Sequence, residues 1–494
     1  MTEEFVIGLD SSTQTTKAVA WSKYGVCVGE GRASIPMAQP HEGHFEQDPD
    51  DWWQAACAAL QALAQEVDLS QAKALAVSNQ RETIGFLDSK GAALRPAIVW
   101  LDERAKSSVR TLSNDLGVDF LHQTTGKPPD ITPAIYRLHW LQSNSPEILA
   151  STAKVIDVHS FLSYKLTGKM VSSWTSADPM GVFDIKAKDW SAELIEALQM
   201  RRTQFVDTLS PGSKIGQLHT VASQATGLPE NMPVIAAGGD GQCAGLGANA
   251  MQPGTVYLNL GTAIITGAWS AEPRISTDWR TMISPTGTGY FLEGILRAGT
   301  FFIDWFIEKF AGGDLSVEHF RSLKKQAEQI SVGSDGVLVC PYLSGCMNPH
   351  WDLNARATFS GLQPEHGVAH LYRAVLEALT GEIARCIKAM QKSNIQVTQI
   401  VAVGGGANSS LWLKMISDAS GVQVTTSASH EASSLGAGMT AAKGIGWHRD
   451  FAAAALAMCS ESQTLQPDKT DYARWKRLLL QQDRLNRFVV STSD

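Results

Sequence analysis

Two aspartates follow apolar runs that are typical of buried strands, a place where a carboxylate can reach a ligand. Asp10 comes directly after residues 5–9, and Asp240 follows residues 233–237 after two glycines. Glycine lets the backbone approach a ligand closely, and an ionised carboxylate there can take a proton from a hydroxyl group. Asp240 is therefore a candidate general base, although an aspartate at this position is also typical of a cap on the small-residue helix that follows.

The turn after Asp10 carries groups that suit phosphate. Hydroxyl, amide and ammonium donors follow in Thr13, Gln14, Thr15 and Lys17. Together with the backbone amides of the turn they match phosphate oxygens, and the Asp10 carboxylate matches a hydrated magnesium ion. A polar hairpin turn with an exposed lysine has the same pattern, so both interpretations stay open at this point.

A run of three glycines, residues 404–406, lies between a strand-like segment and a segment of helical periodicity. Backbone without side chains can lie flat against a nucleotide, but it is also typical of a tight strand-to-helix turn. The chain lacks the G-x-x-x-x-G-K-[ST] pattern of a P-loop and the G-x-G-x-x-G pattern of dinucleotide-binding enzymes. A dehydrogenase therefore has little support, and phosphate must be held by other means.

Residues 79–83 lie at the end of another apolar, strand-like run and include charged and amide side chains. These groups are able to hydrogen-bond several hydroxyls of a sugar or polyol, whereas adjacent opposite charges are also common on plain surfaces. His41 and His44 lack the spacing of two histidines one helical turn apart, so we interpret them as part of a loop and not as metal ligands.

Length and composition narrow the class of protein. The chain has 494 residues, 44% of them hydrophobic and 18% charged, which predicts a globular protein of more than one domain. A formal charge of −8 and the lack of a basic run exclude nucleic acid as an expected partner. Seven scattered cysteines, no signal-peptide pattern and no long apolar stretch predict a cytoplasmic protein with reduced thiols and no membrane segment.

Strand-like and helix-like segments alternate along the chain, which predicts an α/β fold. Residues 51–67 and 370–390 have helical periodicity, and residues 336–341 and 399–403 are strand-like. Gly261 and Thr262 form a polar turn between two apolar runs and repeat the pattern of the first hairpin, which indicates two related halves. We place the boundary in residues 249–254, giving lobes 1–250 and 251–494 with a binding cleft between them.

Taken in order, these segments resemble the FGGY carbohydrate kinase family, whose members share an actin-like, ribonuclease H-like fold of two lobes. Residues 8–17 resemble the first phosphate loop of that family, Gly261-Thr262 the second, and residues 404–407 the adenosine motif. Asp240 falls where the family has its catalytic aspartate. The resemblance implies ATP and Mg²⁺ as cofactors and a small sugar or polyol as the partner.

The resemblance also implies the role of individual residues. Asp240 would be the catalytic base and Asp10 the metal ligand. Nucleotide contacts would come from Thr13, Gln14, Thr15, Lys17, Gly261, Thr262, Gly299, Gly404, Gly405, Gly406 and Ser409. Acceptor contacts would come from Gln80, Arg81, Glu82, Trp100, Thr132, Asp240 and Gln242.

The resemblance implies two different acceptors, depending on which segments are compared. Residues 46–53, 95–100 and 373–377 agree with the xylulokinase branch, but Arg81-Glu82 is similar to the pair with which glycerol kinases hold glycerol. A tyrosine of glycerol kinases aligns with Thr132. We expect phosphorylation of a primary hydroxyl on a ketopentose such as xylulose, with glycerol as the alternative. An actin-like regulatory or assembly protein without kinase activity is the alternative of another class, and a homodimer is one option for the oligomeric state.

Overall fold

Two twisted sheets organise the chain, each built around one of the two predicted hairpins. The structure is a computed structural model that describes residues 4–429 and 431–492. In chain order the strands are β1 Phe5–Ser11, β2 Thr15–Trp21, β3 Cys27–Ser34, β4 Glu46–Gln47, β5 Ala72–Asn79, β6 Gly85–Leu87, β7 Ala97–Ile98, β8 Lys154–Ile156, β9 Val171–Ser173, β10 Phe183–Asp184, β11 Asp189–Trp190, β12 Asp207–Leu209, β13 Lys214–Gln217, β14 Pro233–Gly239, β15 Gly254–Leu260, β16 Ile264–Ser270, β17 Arg280–Ile283, β18 Tyr290–Leu296, β19 Leu338–Cys340, β20 Thr358–Ser360, β21 Val397–Val403, β22 Gln423–Ser427 and β23 Glu461–Leu465.

Helices cover the faces of these sheets. In chain order they are α1 Pro49–Leu63, α2 Lys106–Leu116, α3 Val118–Thr125, α4 Ile135–Asn144, α5 Pro146–Ser151, α6 Val158–Thr167, α7 Trp174–Ala177, α8 Ala192–Ala197, α9 Thr220–Thr226, α10 Asp240–Gly247, α11 Thr300–Phe310, α12 Val317–Ala327, α13 Val368–Lys392, α14 Ser410–Ser420, α15 Ala432–Gly444, α16 Phe451–Met458 and α17 Lys469–Ser491. The predicted alternation of strands and helices is therefore present.

The two large sheets share one topology. The first has the order β13-β14-β5-β1-β2-β3 and the second β17-β18-β16-β15-β21-β22-β23. In each, a central hairpin (β1-β2 or β15-β16) pairs antiparallel with a third strand on one side and parallel with two strands on the other. The predicted α/β fold with two related halves is confirmed. β17 lies at the edge of the second sheet, outside this shared pattern.

Local sequence explains where the predicted elements begin and end. The helix expected over residues 51–67 is α1, which begins earlier because the Asp48 carboxylate accepts a hydrogen bond from Asp50 N and Pro49 fills the first turn. The strand expected over residues 336–341 is shorter, Leu338–Cys340, because Gly336 has a φ of 103° and ends a 3₁₀ turn.

Two helices pack on the sheet of the opposite half. α15 covers β1, β5 and β14 of the first sheet, where its buried Leu435 and Met439 join Val6 and Ile235 in one apolar cluster. α10 contributes to a cluster with residues of β15, β18 and β21 in the second sheet. Each half of the chain thus contributes a helix that packs on the sheet of the other half. The predicted boundary between the lobes at residue 250 stays a prediction.

Close contact between α10 and α15 depends on glycine. A Cβ atom on Gly436 would lie 1.9 Å from the carbonyl oxygen of Cys243, and a Cβ atom on Gly247 would lie 2.1 Å from that of Ala432. The helices can therefore cross with their backbones in contact.

All seven cysteines are free thiols. Within residues 4–429 and 431–492, no helix combines the length and apolar character needed to cross a membrane.

Candidate functional site

Sheet topology brings the two candidate aspartates to one edge of the first sheet. β1, β5 and β14 run parallel, so their carboxyl ends meet. Asp10 lies opposite Ser78 in the register, and the Ser78 hydroxyl donates a 2.7 Å hydrogen bond to Asp10 Oδ1. Asp240 follows β14 directly as the first residue of α10. The fold therefore brings both candidate aspartates to the same edge of the first sheet.

Asp240 contacts polar and charged groups, yet part of its side chain is exposed to the cleft. Its Oδ1 accepts a 2.7 Å hydrogen bond from Gly241 N and lies 3.3 Å from Arg81 Nε, while 35% of the side chain stays exposed. Burial raises the pKa of Asp240 to about 6, the Arg81 charge lowers it, and the nearby Asp10 charge raises it. Gly239 occupies the N-cap position of α10, so Asp240 is not the capping residue of this helix.

Asp10 is suited to a cation. Burial raises the pKa of its carboxyl, and the Ser78 hydrogen bond and the Lys17 charge oppose that shift. A buried carboxylate next to a second one leaves negative charge that a divalent ion would compensate. Magnesium is commonly held by one or two carboxylates together with water and substrate phosphates, so the Asp10 carboxylate fits it. Among the described residues, no group of three or more metal-binding side chains is present.

The expected acceptor residues Arg81 and Glu82 lie beside Asp240 and are held by ion pairs. Arg81 Nη1 donates to Gln242 Oε1 at 3.2 Å and to Glu293 Oε2 at 2.8 Å. Burial lowers the pKa of Arg81, but the carboxylates around it outweigh that effect and raise it above its usual value. Glu82 has a φ of 61° and accepts a 2.9 Å hydrogen bond from Arg280 Nη1.

Backbone around Glu82 is fixed by a buried arginine. Arg137 donates to the carbonyl oxygens of Glu82 at 2.6 Å, Ile131 at 3.1 Å and Thr132 at 2.9 Å. Burial lowers the pKa of Arg137 to about 10. The Thr132 hydroxyl donates a 2.5 Å hydrogen bond to Asp130. Arg137 therefore joins the segments that carry Glu82 and Thr132 into one wall of the cleft.

Two further acceptor candidates connect this wall to the first hairpin turn. Trp100 Nε1 donates a 2.9 Å hydrogen bond to the Thr13 hydroxyl. Gln80 donates to Gln47 Oε1 at 2.9 Å and accepts from the Thr83 hydroxyl at 2.9 Å. These contacts place the acceptor candidates next to the turn that resembles a phosphate loop.

The phosphate candidates lie on the two hairpin turns. Gln14 is exposed, Thr13 and Thr15 are half-buried, and Lys17 on β2 makes a 2.7 Å ion pair with Glu431. In the second hairpin, the carbonyl oxygens of Gly261 and Thr262 accept hydrogen bonds from Thr300 N at 2.9 Å and Gly299 N at 2.7 Å; these four residues are thereby held together.

Gly299 and the glycine run pack against the second hairpin. A Cβ atom on Gly299 would lie 2.7 Å from the Gly261 carbonyl oxygen. Gly404 has a φ of 88°, and a Cβ atom there would lie 2.5 Å from Asn259 Oδ1, whereas one on Gly405 would point into open space. A Cβ atom on Gly406 would lie 2.6 Å from the Trp412 ring. The open side of Gly405 is the surface on which a flat ligand could rest.

Ser409 has a structural contact in addition to its predicted contact with the nucleotide. Its hydroxyl oxygen accepts a 3.3 Å hydrogen bond from Trp412 N and caps α14. Gln242, predicted on the acceptor side, is fully buried, accepts from Arg81 and donates to the Thr175 carbonyl oxygen at 3.2 Å. The contacts of the bound ligands themselves stay predictions.

Sequence reasoning missed the charged residues that the second sheet contributes. Arg280 and Glu293 lie in β17 and β18 and are 2% and 0% exposed. Glu293 stands among apolar neighbours in a strand, and a charge inside such a run is a usable signal of a buried polar site. A second buried ion pair, Lys127 with Asp178, was missed as well.

Comparison with curated proteins finds sugar kinases over nearly the full length. The xylulose kinase of Staphylococcus xylosus is 26% identical over 483 residues, which are 96% of this chain and 98% of that protein. The xylulose kinase of Escherichia coli K12 is 28% identical over 85% of each chain. The gluconokinase of Bacillus subtilis is 25% identical over 88% of this chain and 86% of its own.

Solved structures share the fold of this chain over nearly its whole length. The xylulose kinase of Lactobacillus acidophilus superimposes with a TM-score of 0.93 at 24% identity, covering 99% of both chains. The gluconate kinase of the same organism gives the same values. Plasmodium falciparum glycerol kinase with ADP gives 0.88 at 20% identity, covering 98% of both chains. These likenesses establish the two-lobed actin-like fold.

A family model covers each half of the chain. Residues 5–247 match the N-terminal domain and residues 256–445 the C-terminal domain of one family of kinases. Both candidate aspartates lie within the first match, and both the turn of the second hairpin and the glycine run lie within the second. The chain therefore belongs to the FGGY family of carbohydrate kinases.

Proposed function

We propose that this chain transfers the γ-phosphoryl group of ATP to a primary hydroxyl of an uncharged ketopentose such as xylulose, with Asp240 as general base. The observation that carries the proposal is the position of Asp240, whose raised pKa of about 6, exposed face and contact with Arg81 occur at the meeting point of three parallel strands. Such a carboxylate is ionised at neutral pH yet basic enough to accept a proton in the transition state.

Residues of the two hairpins and the glycine run would hold the nucleotide. The turn donors Thr13, Gln14 and Thr15, with backbone amides around Thr262, suit the phosphates, and the open face of Gly405 suits adenosine. Mg²⁺ held by Asp10 would neutralise charge on the phosphates. Closure of the lobes would exclude water, which would otherwise compete with the acceptor hydroxyl.

Charge balance in the pocket favours an uncharged acceptor. The charges of Arg81 and Arg280 are each balanced by buried carboxylates, so the pocket offers no spare positive charge to the carboxylate of an acid such as gluconate. The xylulose kinases among the relatives support a ketopentose. Glycerol remains the second candidate, because Arg81-Glu82 is similar to the glycerol kinase pair. Membership in a family of carbohydrate kinases favours transfer over the regulatory alternative.

Release of ADP across a panel of ketoses, aldoses, polyols, gluconate and glycerol tests the proposal. We expect a ketopentose to give the highest kcat/KM. A higher value for glycerol would select the second candidate, a higher value for gluconate would contradict the charge argument, and no release above background with any acceptor would overturn the kinase proposal. The predictions of a cytoplasmic location, of a homodimer and of lobes 1–250 and 251–494 stand beside this proposal.

A further inference from the structure

A chain of buried ion pairs crosses from the second lobe to the first beside Asp240. Arg280 and Glu293 lie directly opposite each other on β17 and β18, so their side chains leave the same face of the sheet. Glu293 accepts hydrogen bonds from Arg280 at 2.5 Å and from Arg81 at 2.8 Å, and Arg280 also donates to Glu82 at 2.9 Å. Each of the two acceptor residues is thus paired with an opposite charge from the other lobe.

The side chains of this network, Arg81, Glu82, Arg280 and Glu293, are buried. All four side chains are at most 7% exposed. Burial raises the pKa of Glu293, but the two guanidinium groups outweigh that effect and hold it below its usual value. Replacing a buried ion-pair network with apolar residues is often neutral or stabilising. Stability alone is therefore a weak reason for this network, and its position beside Asp240 suggests a role in the reaction.

β17 is the strand that brings Arg280 to the first lobe. It extends the second sheet beyond the topology that both lobes share. Thr281 N donates a 2.8 Å hydrogen bond to the Gly126 carbonyl oxygen, and Ile283 N donates one of 2.8 Å to Asp178 Oδ2. These two backbone contacts fix β17 against the first lobe, which sets the position from which Arg280 reaches Glu82.

One N–H group of this network is not used by a hydrogen bond among the described residues. Arg280 Nε is buried and has no hydrogen-bond partner within the described part of the chain. A buried N–H group without a partner is costly, and such groups in native proteins usually meet a ligand or water. Arg280 Nη1 occupies one oxygen of the Glu82 carboxylate, Oε1. An acceptor hydroxyl could donate a hydrogen bond to the other oxygen of Glu82 and accept one from Arg280 Nε.

We propose that Arg280 and Glu293 are acceptor-positioning residues, which orient Glu82 and Arg81 from the second lobe and thereby set the affinity for the acceptor. The acceptor pocket is then complete only when both lobes contribute to it. This inference rests on the proposed function, because it assigns the ion pairs to the acceptor side of that same site. It predicts that loss of either residue affects the acceptor more than the nucleotide.

Steady-state kinetics of Arg280→Gln and Glu293→Gln test this role, with the best acceptor of the wild-type panel. We expect the KM for the acceptor to rise about 10- to 100-fold, as for the loss of one charged hydrogen bond, and the KM for ATP to stay within about twofold. Arg280→Lys keeps the charge but not the planar fork that reaches two carboxylates, so it should give an intermediate KM. Circular dichroism confirms that each variant is folded.

A matched control separates the specific role of these ion pairs from the loss of any buried ion pair beside β17. The double variant K127M/D178N removes the neighbouring pair of Lys127 with Asp178, which makes no hydrogen bond to Arg81 or Glu82, while the amide oxygen of the new asparagine can still accept the hydrogen bond from Ile283 N that holds β17. Its KM for the acceptor should stay near the wild-type value. An unchanged KM in folded Arg280→Gln and Arg280→Lys, or an equal rise in the control, would overturn the inference. Wild-type enzyme without activity on any acceptor would instead overturn the proposed function.

Discussion

At the scale of single residues, the environment of Asp240 separates its two possible roles. A carboxylate that only began a helix would be stabilised in its charged form by the helix N-terminus. Instead, burial and the Asp10 charge raise the pKa of Asp240 to about 6 against the effect of Arg81. A raised pKa on a carboxylate at the edge of a cleft is typical of an acid–base group.

Replacement of Asp240 by asparagine should abolish catalysis while preserving the fold. Asparagine has the same shape but cannot accept the proton, so we expect kcat to fall about 100- to 10,000-fold. Nucleotide affinity, measured by calorimetry, should change little, because the predicted nucleotide contacts lie elsewhere. Asp189→Asn, on an exposed aspartate, is the matched control and should be fully active. Near-normal turnover in Asp240→Asn would refute the assignment.

The raised pKa of Asp240 also predicts how the reaction rate depends on pH. Asp240 must be deprotonated to act as a base, so kcat/KM for the acceptor should be level above pH 7 and fall below a midpoint near pH 6. Arg81 lowers the pKa of Asp240, so in Arg81→Met the midpoint should move to higher pH. A stopped assay from about pH 4.5 to 8.5, roughly 1.5 units below the midpoint and 2.5 units above it, measures both curves. A midpoint that moves to lower pH in the variant would contradict the prediction.

At the scale of secondary structure, the glycine run after β21 combines two different demands on neighbouring residues. Gly404 needs a positive φ and a close approach to Asn259, so its requirement comes from the fold. Gly405 has open space on its free side, so the fold does not require glycine there. The two positions therefore separate stability from ligand binding.

Alanine at these two positions should give opposite results. Gly404→Ala should lower the free energy of unfolding by about 1–3 kcal/mol, because the new Cβ atom would meet Asn259 Oδ1 at 2.5 Å in a left-handed backbone conformation. Gly405→Ala should leave stability within about 0.5 kcal/mol but raise the KM for ATP. Urea unfolding and ATP titration measure the two effects. A Gly405→Ala enzyme with the wild-type KM for ATP would place the adenosine elsewhere.

What the sequence predicted well was encoded locally. Apolar runs separated by polar turns predicted both hairpins. Asp10 lies one residue before the end of β1 and Asp240 directly after β14, close to where the apolar runs predicted them. The ion pairs were not predictable in this way, because Arg81 and Glu293 are 212 positions apart, and Glu82 and Arg280 are 198 apart. Pairing over such distances depends on how the two sheets meet, which no local pattern encodes.

At the scale of the whole molecule, the exchange of α10 and α15 makes each lobe depend on residues from the other half of the sequence. The first sheet buries Val6, Val19 and Ile235 under α15 and α16, which lie near the end of the chain. The helix that begins with Asp240 packs in turn on the second sheet. The candidate base therefore begins a helix that contacts both sheets.

Separate expression of the two predicted halves tests this dependence. A fragment of residues 1–250 lacks α15 and α16, so it should expose the apolar face around Val6, Val19 and Ile235 and bind a hydrophobic dye strongly. Addition of the fragment 251–494 should reduce dye binding and restore ADP release, because it returns α15 to that face. A first fragment that is monomeric, cooperative in urea unfolding and free of dye would show that the lobe folds without the exchanged helix, and α15 would then act as a movable contact between lobes that are stable by themselves.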